Sequence, residues 1–206
     1  DPFGSRSFKN GLWTVQDEAS PLVVELLAPR AGDRCWDMCA APGGKTTYIA
    51  DLVGPEGSVL ATDIHGEKAD RLAQRVEDSG IQVRTADATQ PQDAQFDSVL
   101  LDAPCSAVGL IRRHPEIRWR REKSDLEASC ALQKALLMNA ADHVVPGGIL
   151  VYSVCSDLEE EGPAQLAGFL AARTDYTLEP LPGDTPGAQL MEKAYSKSTR
   201  TPMGVT

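Results

Sequence analysis

The chain has 206 residues, of which 42% are hydrophobic and 24% charged, a composition typical of a globular protein with one sizeable core. Its apolar runs end well short of the roughly 18 residues that a membrane-spanning helix needs, so we expect no membrane contact. Five cysteines at wide spacing argue against a disulfide framework and a structural zinc site, and we expect no metal. The first residues do not form a signal segment, which predicts a cytoplasmic protein.

The apolar pattern alternates between short strands and longer helices from Arg34 to about Thr174. A helix is predicted over 15–28, before Pro29 and Gly32. The predicted strands are 34–38, 58–63, 81–87, 96–102 and 149–155. A glycine turn leads into a predicted helix within 39–54, and further helices are predicted at 66–80, 124–144 and 161–174, with a turn at 146–148. This alternation predicts an α/β fold with a mostly parallel sheet and helices on both faces.

We predict a single domain over 1–206. Residues 180–206 are rich in Pro, Gly, Ser and Thr and show no strand pattern, so we expect a loop-like tail there.

Four aspartates stand at the carboxyl ends of consecutive predicted strands, namely Asp37, Asp63, Asp87 and Asp102. Ligands of open parallel sheets bind beyond these strand ends. Turn formation or helix capping would explain one or two such residues. Four in succession favour a crevice lined with carboxylates.

The turn CAAPGGK brings glycines to the start of a helix, where free amides can hold an anionic group. Asp63 follows Gly44 at a spacing typical of an acid that binds a ribose diol. The GKT triplet also resembles the end of a nucleotide-hydrolase phosphate loop. That loop needs glycine where Cys39 stands, and Pro42 has no amide to offer a phosphate, so we disfavour this alternative.

Two predicted strands are followed by cysteine, in DAPCS (102–106) and YSVCS (152–156). A free cysteine is usually a small buried hydrophobe. That interpretation fits poorly in a polar turn after a strand. If the two strands are neighbours, both thiols lie at one rim of the sheet.

DMCAAPGGKT, DAPCS and YSVCSDLEEE together resemble the RNA 5-methylcytosine methyltransferases of the Sun type. GLWTVQDEAS and VGLIRRHPEIRW point to the bacterial ribosomal-RNA branch, and the resemblance covers 8–172. It implies a Rossmann-like methyltransferase fold, S-adenosylmethionine as the methyl donor, and RNA as the substrate, with ribosomal RNA favoured over transfer RNA.

The resemblance also implies roles for individual residues. Cys155 matches the nucleophile and Cys105 the second cysteine, which releases the product, while Asp102 would stabilise the cytosine. A thiolate that adds to carbon 6 makes carbon 5 nucleophilic, and a base must later remove the carbon-5 proton. Cofactor contacts are implied for Cys39, Ala40, Ala41, Pro42, Gly43, Gly44, Lys45, Asp63 (ribose), Asp87 (adenine) and Asp102 (methionine amino group).

Two alternatives stay open. DNA cytosine methyltransferases attack with a proline-cysteine motif, which would make Cys105 the nucleophile. The match of YSVCS favours Cys155, although the family commonly has Thr where Val154 stands. The second alternative is an inactive S-adenosylmethionine-binding module that acts as a partner protein, and the presence of both thiols argues against it.

RNA binding conflicts with the net charge of −10, because RNA-binding domains are usually basic. Segment 112–123 is an exception, with six Lys or Arg against two Glu. A basic stretch with an aromatic can follow a phosphate backbone and stack on a base; a solvated helix face is the alternative. The candidate RNA contacts are Arg112, Arg113, His114, Arg118, Trp119 and Arg120.

Three further expectations come from the family pattern. Residues 1–15 would be the remnant of an N-terminal RNA-binding region, so part of the RNA affinity would come from elsewhere. The glycine-aromatic-aromatic ending of the family is absent, so we expect the C-terminal edge strand to be missing or remodelled. Lys45 and the arginine segment are candidate cations for lowering the pKa of the thiols.

Overall fold

The computed structural model describes residues 6, 15–17, 19–77 and 79–179, and the backbone of 195–198. Strands β1 to β7 are Arg34–Asp37, Ser58–Asp63, Gln82–Thr85, Phe96–Asp102, Val144–Ser153, Tyr176–Leu178 and Tyr195–Ser198. Helices α1 to α6 are Ala19–Leu27, Gly44–Val53, Gly66–Arg75, Ile117–Arg120, Lys123–Asp142 and Pro163–Ala172, and a 3-10 turn covers Val108–Leu110. Within these residues, none of the helices has the length and hydropathy that crossing a membrane requires.

The seven strands form one sheet in the order β3-β2-β1-β4-β5-β7-β6. Strands β1 to β5 are mutually parallel, which confirms the predicted α/β fold. The chain moves outward from β1 to β3 and then returns to place β4 on the other side of β1. A crevice therefore opens between the carboxyl ends of β1 and β4, where sheets of this kind bind ligands.

Helices cover both faces of the sheet, so its central strands are apolar on both sides. In β4, Val99 and Leu101 belong to one buried cluster together with Leu137 of α5. The intervening Leu100 faces the opposite cluster, which includes Ile49 of α2. Because successive side chains of a strand point to opposite faces, β4 contributes residues to two separate cores.

The first predicted helix begins later than expected. Residue 15 was its predicted start, whereas α1 begins at Ala19. The Asp17 carboxylate accepts a hydrogen bond from the Ala19 amide at 3.0 Å, so Asp17 ends the preceding turn and does not continue the helix. The predicted turn at 146–148 is also wrong, because these residues form an irregularity inside β5, where its register with β4 shifts.

The expectation that 180–206 contains no strand is wrong at one place. The backbone of β7 pairs antiparallel with β5 on one side and with β6 on the other. Its sequence, YSKS, has too little apolar alternation to predict a strand. The remaining tail and almost all of 1–15 lie outside the described residues, so the expectations for them are not addressed by the structure.

Trp36 at the centre of β1 is fully buried. Its ring lies 5.5 Å from that of Phe96, and its Nε1 donates a hydrogen bond to the Thr62 hydroxyl at 3.0 Å. We expect Trp36→Ala to lower the free energy of unfolding by about 3–5 kcal/mol, because it leaves a cavity and removes the hydrogen bond that the Thr62 hydroxyl accepts.

Trp119→Ala provides the matched control, since this side chain is 77% exposed. Its effect on stability should stay within about 0.5 kcal/mol. Urea denaturation of both variants measures the difference, and equal losses would contradict this description of the core.

Candidate active site

The pairing of β4 with β5 sets the geometry of the rim. Asp102 lies directly opposite Ser153, and the Ser153 hydroxyl donates to the Asp102 carboxylate at 2.7 Å. The Ala103 amide continues the ladder by donating to the Ser153 carbonyl at 2.8 Å. Both strands therefore end at the same level, and the turns that follow them lie side by side.

These turns bring two thiols together. The sulfur atoms of Cys105 and Cys155 are 3.1 Å apart, close enough to share a hydrogen bond, and both cysteines are free. Cys155 is exposed and Cys105 is half-buried. The expectation that the strand-end thiols share one rim is met.

The contact between the thiols changes their acidity in opposite directions. The hydrogen bond from Cys155 lowers the pKa of Cys105 to about 7, although burial alone would raise it. Backbone hydrogen bonds of Ala107 and Cys155 lower it further. The pKa of Cys155 is raised, first by this hydrogen bond and then by burial. Above about pH 7 the pair consequently holds one proton, which the two sulfurs share.

Cations were the expected cause of a lowered thiol pKa, and this expectation is wrong. Lys45 instead forms an ion pair with Asp102, with its Nζ 2.7 Å from Oδ2. The groups that lower the pKa of Cys105 are the second thiol and backbone donors. Lys45 therefore holds the Asp102 carboxylate at the end of β4, and it is not among the groups that lower the pKa of Cys105.

Two cavities meet at the crevice between β1 and β4. One, of about 240 Å³, lies between the glycine turn and the start of the chain's first helix. The other, of about 270 Å³, lies beyond β2 and β3 and is lined by Asp63, Ile64 and Asp87. Cys39, Ala41 and Asp102 line both cavities. Together they form an elongated site with room for a ligand with two chemically different ends.

The predicted cofactor turn 39–45 lines the first cavity along its whole length. Gly43 has a φ of +95°, and a Cβ there would lie 2.1 Å from a methyl carbon of Leu72, so only glycine is accommodated. At Gly44 a Cβ would lie 2.8 Å from the Gln16 side chain. The turn thus presents bare backbone to the cavity, which fits a closely bound ligand.

Asp63 and Asp87 differ in how firmly they are held. The Asp63 carboxylate is 8% exposed and accepts hydrogen bonds from the backbone amides of Ala41 and His65 at 3.2 and 2.9 Å. Asp87 is exposed, and hydrogen bonds from the Thr89 side chain and backbone lower its pKa. Both line the second cavity, as a contact with a nucleoside would require.

Asp37 lines the first cavity and is 2% exposed. Burial raises its pKa to about 7, against the effect of a hydrogen bond from the Thr46 hydroxyl at 2.7 Å. Sequence reasoning counted Asp37 among the strand-end acids but gave it no contact. A buried carboxylate that faces a cavity favours a positively charged ligand group.

The six predicted RNA-contacting residues are all exposed. Trp119, 77% exposed, lies in α4 between Arg118 and Arg120. Two of the six already have an acidic partner: Arg113 forms an ion pair with Asp17, and His114 Nδ1 lies 3.3 Å from a Glu116 carboxylate oxygen. The segment is anchored to the thiol turns: Gly109 donates its amide to the Cys155 carbonyl at 3.2 Å, and Arg121 donates Nε to the Ser106 carbonyl at 3.0 Å.

The other three cysteines are separate from the thiol pair. Cys35 is fully buried in the core, and burial raises its pKa to about 12. Cys39 has its pKa raised to about 12, mainly by burial, although it lines both cavities. Cys130 donates to the Glu160 carbonyl at 3.4 Å. The raised pKa values of Cys35 and Cys39 keep both thiols protonated at neutral pH.

Sequence reasoning assigned no role to several residues that line or support the site. Ile64, His65 and Lys68 line the second cavity; their position directly after Asp63 is a signal that could have identified them. Gln16 donates Nε2 to the Gly44 carbonyl at 3.1 Å, while its buried Oε1 has no partner among the described residues. Glu161, the last residue of YSVCSDLEEE, is fully buried below the thiols.

Residues 24–202 match the family of 16S rRNA methyltransferases RsmB/F. The ribosomal RNA small subunit methyltransferase B of Erwinia tasmaniensis is 42% identical over 195 residues, which are 91% of this chain. The chain belongs to the RsmB/F family. It spans only 45% of the length of the Erwinia protein, and less than half of the other curated relatives compared.

Solved structures agree with membership of the RsmB/F family. The crystal structure of PH0851 matches with a TM-score of 0.83 and 32% identity, covering 94% of this chain and 48% of that one. NSun6 from Pyrococcus horikoshii, solved with SFG, matches with a TM-score of 0.78 and 25% identity, covering 97% and 56%. The fold is the Rossmann-like fold of S-adenosylmethionine-dependent methyltransferases.

The raised pKa of Asp37 predicts how stability depends on pH. In the unfolded chain this carboxyl ionises near 3.8, whereas in the folded protein it keeps its proton to about 7. Folding therefore takes up a proton between these values, and stability falls as the pH rises through this window. Above pH 7 the loss is at most about 4 kcal/mol.

Asp37→Asn removes this titration and keeps an acceptor for Thr46. We expect the free energy of unfolding of the variant to exceed that of the parent at pH 8 and to match it near pH 4. Asp70→Asn, on an exposed site of α3, is the control and should change neither value. Urea denaturation at both pH values measures the effect, and equal pH profiles would contradict it.

Proposed function

We propose that this chain transfers a methyl group from S-adenosylmethionine to carbon 5 of a cytosine in RNA, through a covalent cysteine adduct. Ribosomal RNA is the favoured substrate, because the curated relatives are ribosomal RNA methyltransferases. The observation that carries the proposal is the thiol pair, 3.1 Å apart, at the strand ends beside the two cavities.

S-adenosylmethionine fits the site by the chemistry of its two ends. The ribose would bind Asp63, and the adenine would lie near Asp87 and Ile64 in the second cavity. The ammonium group would lie in the first cavity, toward Asp37 and Asp102. SFG, an S-adenosylmethionine analogue, was bound in the NSun6 structure, which supports S-adenosylmethionine as the ligand. The bound cofactor supplies an electrophilic methyl group on a sulfonium.

The first task of the protein is to attack carbon 6. Cys155 is the exposed thiol of the pair, so an extruded base reaches it first. As the bond from its sulfur to carbon 6 forms, its proton passes to the Cys105 thiolate 3.1 Å away. A water molecule supplies a proton to N3 of the cytosine, and Asp102 accepts the resulting N–H. The carbon-5 position thereby gains the electron density of an enamine.

The second task is to release the product. Once the shared proton has left Cys105 for water, this thiolate is a base beside the Cys155 adduct. It removes the proton from the methylated carbon 5, the double bond re-forms as the bond from carbon 6 to the Cys155 sulfur breaks, and N3 returns its proton to water. One proton is released overall for each methyl group transferred.

The positions of the thiols also bear on the alternatives. Attack by Cys105, as in the DNA enzymes, would use the more buried sulfur and place the exposed one behind it. A module that only binds the cofactor would have no use for a shared proton between two thiols. Both observations favour a catalyst in which Cys155 attacks.

Cys105→Ala tests this division of labour. The variant should still form the adduct through Cys155, because contact with Cys105 is the first cause that raises the pKa of Cys155 and its loss lets this thiol ionise to water. It should fail to release the adduct, since the base for the carbon-5 proton is gone. We expect a covalent RNA–protein complex that survives denaturing electrophoresis and depends on S-adenosylmethionine. Cys155→Ala should give neither adduct nor methylated RNA.

Cys130→Ala is the matched control and should methylate without accumulating adduct. Calorimetric titration with S-adenosylmethionine verifies that each variant keeps its cofactor site. Adduct accumulation in the Cys155 variant would assign the attack to Cys105. Absence of any adduct, when the parent methylates the same RNA, would refute the covalent route.

The arginine segment makes a separate prediction about RNA affinity. Arg118 is exposed, whereas Arg113 is already paired with Asp17. Arg118→Ala should weaken RNA binding and reduce the slope of log affinity against log salt by about 0.7–0.9, the value for one phosphate contact. Arg113→Ala should have a smaller effect, because its partner competes with the phosphate.

Arg34→Ala is the control. It removes the same charge at the opposite end of β1, where Arg34 lies 3.6 Å from Asp97. Fluorescence titrations with a cytosine-containing RNA at several salt concentrations measure the slopes. Equal slopes for all three variants would show that this segment is only a solvated surface.

A further inference from the structure

A buried polar cluster lies directly beneath the thiol pair, with Glu161 at its centre. This side chain is 0% exposed. Its carboxylate accepts hydrogen bonds from the Ser106 amide at 2.7 Å, from the Ser106 hydroxyl, and from Gln133 Nε2 at 3.1 Å. The Glu161 carbonyl accepts a further hydrogen bond from the Tyr152 hydroxyl at 2.6 Å.

The carboxylate connects the two cysteine-bearing turns. Ser106 follows Cys105, and Ser156 follows Cys155. Hydrogen bonds of Glu161 to both serine side chains contribute to its own acidity, and the two serine hydroxyls lie 3.4 Å from each other. One buried group therefore holds the residue next to each thiol.

Glu161 is ionised in spite of its burial. Burial alone would raise its pKa, but hydrogen bonds from Ser106, Ser156 and Gln133 outweigh that effect, so the pKa lies below its ordinary value. A buried carboxylate is costly unless donors surround it. The donors here all come from the thiol turns and from α5, so loss of the charge would release these turns.

The turn after Cys105 needs such support. Ala107 has a φ of +61°, a left-handed conformation that a residue with a Cβ rarely adopts and that costs about 1 kcal/mol. A relaxed turn would move Cys105, because its neighbour Ser106 is held by four hydrogen bonds. Two go to Glu161, one comes from Arg121 to the Ser106 carbonyl, and one joins the Ser106 and Ser156 hydroxyls.

We propose that Glu161 is a positioning residue that fixes the two turns at the separation at which Cys105 and Cys155 share a hydrogen bond. This inference rests on the proposed function for its significance. Its test does not, because the separation of the thiols can be measured without RNA or cofactor.

The charge of Glu161 and its hydrogen bonds to the two turns change the pKa of Cys105 in opposite directions. The titratable groups that influence Cys105 are Cys155, Glu161 and Tyr152. The negative charge of Glu161 raises the pKa of Cys105, whereas contact with Cys155 lowers it. Removal of the charge alone would lower the pKa, and separation of the thiols would raise it. The sign of the change therefore distinguishes the two roles.

The experiment measures the rate of alkylation of Cys105 by iodoacetamide across a pH series, with peptide mass spectrometry to resolve it from the other thiols. In Glu161→Ala we expect the midpoint to move upward by about one unit, from about 7 toward the ordinary thiol value near 8.5. In Glu161→Gln the midpoint of Cys105 alkylation should equal that of the parent or lie below it. The side-chain amide of this variant keeps an acceptor for Ser106, and the buried Oε1 of Gln133, which has no partner within the described part of the chain, is an acceptor for the new donor.

Glu160→Gln is the matched control, because it makes the same change of charge at the exposed neighbouring position, and its midpoint should equal that of the parent. If Glu161→Ala does not fold, Ser106→Ala and Ser156→Ala each remove one hydroxyl and keep the carboxylate. Each should move the midpoint upward by a smaller amount.

A midpoint in Glu161→Ala, or in both serine variants, that is unchanged or lower than in the parent would overturn the positioning role. Failure of the parent to methylate RNA, with these midpoints as expected, would overturn the proposed function and leave the positioning role intact.

Discussion

The register between β4 and β5 is the constraint on which the site depends. After the irregularity near Phe96, the ladder between the two strands is unbroken: it runs from the pair Ser98 and Ile149 to the pair Asp102 and Ser153. Side chains of a strand alternate between faces, so a slip of one residue would turn Asp102 away from the crevice and carry one thiol out of reach of the other. The apolar side chains on both faces of β4 pack into the two cores and fix the strand in the sheet. Packing of β4 in the core therefore determines where Asp102 and the two thiols lie.

Charge is distributed unevenly over the molecule, which bears on the conflict between an acidic protein and the anionic substrate proposed for it. The net charge is −10, yet carboxylates gather in the crevice, where the proposed cofactor is cationic. The arginine segment lies beside the thiol turns and is connected to them by hydrogen bonds to backbone carbonyls. Under the proposed function, an RNA that followed this segment would meet positive charge where its base would enter, and its affinity would fall as salt rises.

The sequence was sufficient to predict the parallel sheet, the glycine turn, the four strand-end acids and the shared rim of the two cysteines, because strand periodicity and chain order determine these features. It was not sufficient for β7, whose pairing is made by backbone groups that carry no side-chain signal. It also missed the reason why Cys105 is acidic: residues 50 positions apart in the sequence meet at 3.1 Å, and no local pattern encodes that contact. Glu161 was hidden for a different reason. A third glutamate in an acidic run suggests a solvated surface, and only the fold shows that it points inward.

The closeness of the two sulfurs has a consequence for oxidative chemistry. If a peroxide converts Cys155 to a sulfenic acid, Cys105 is already within reach to condense with it, releasing water and forming a disulfide. The bond requires the sulfurs to approach from 3.1 Å to about 2.05 Å, a small movement for two turns. Such closure inactivates both thiols at once, but it also prevents the irreversible oxidation of either, since a thiol reductant restores the pair. The same contact that would share a proton during catalysis would then protect the protein from permanent damage.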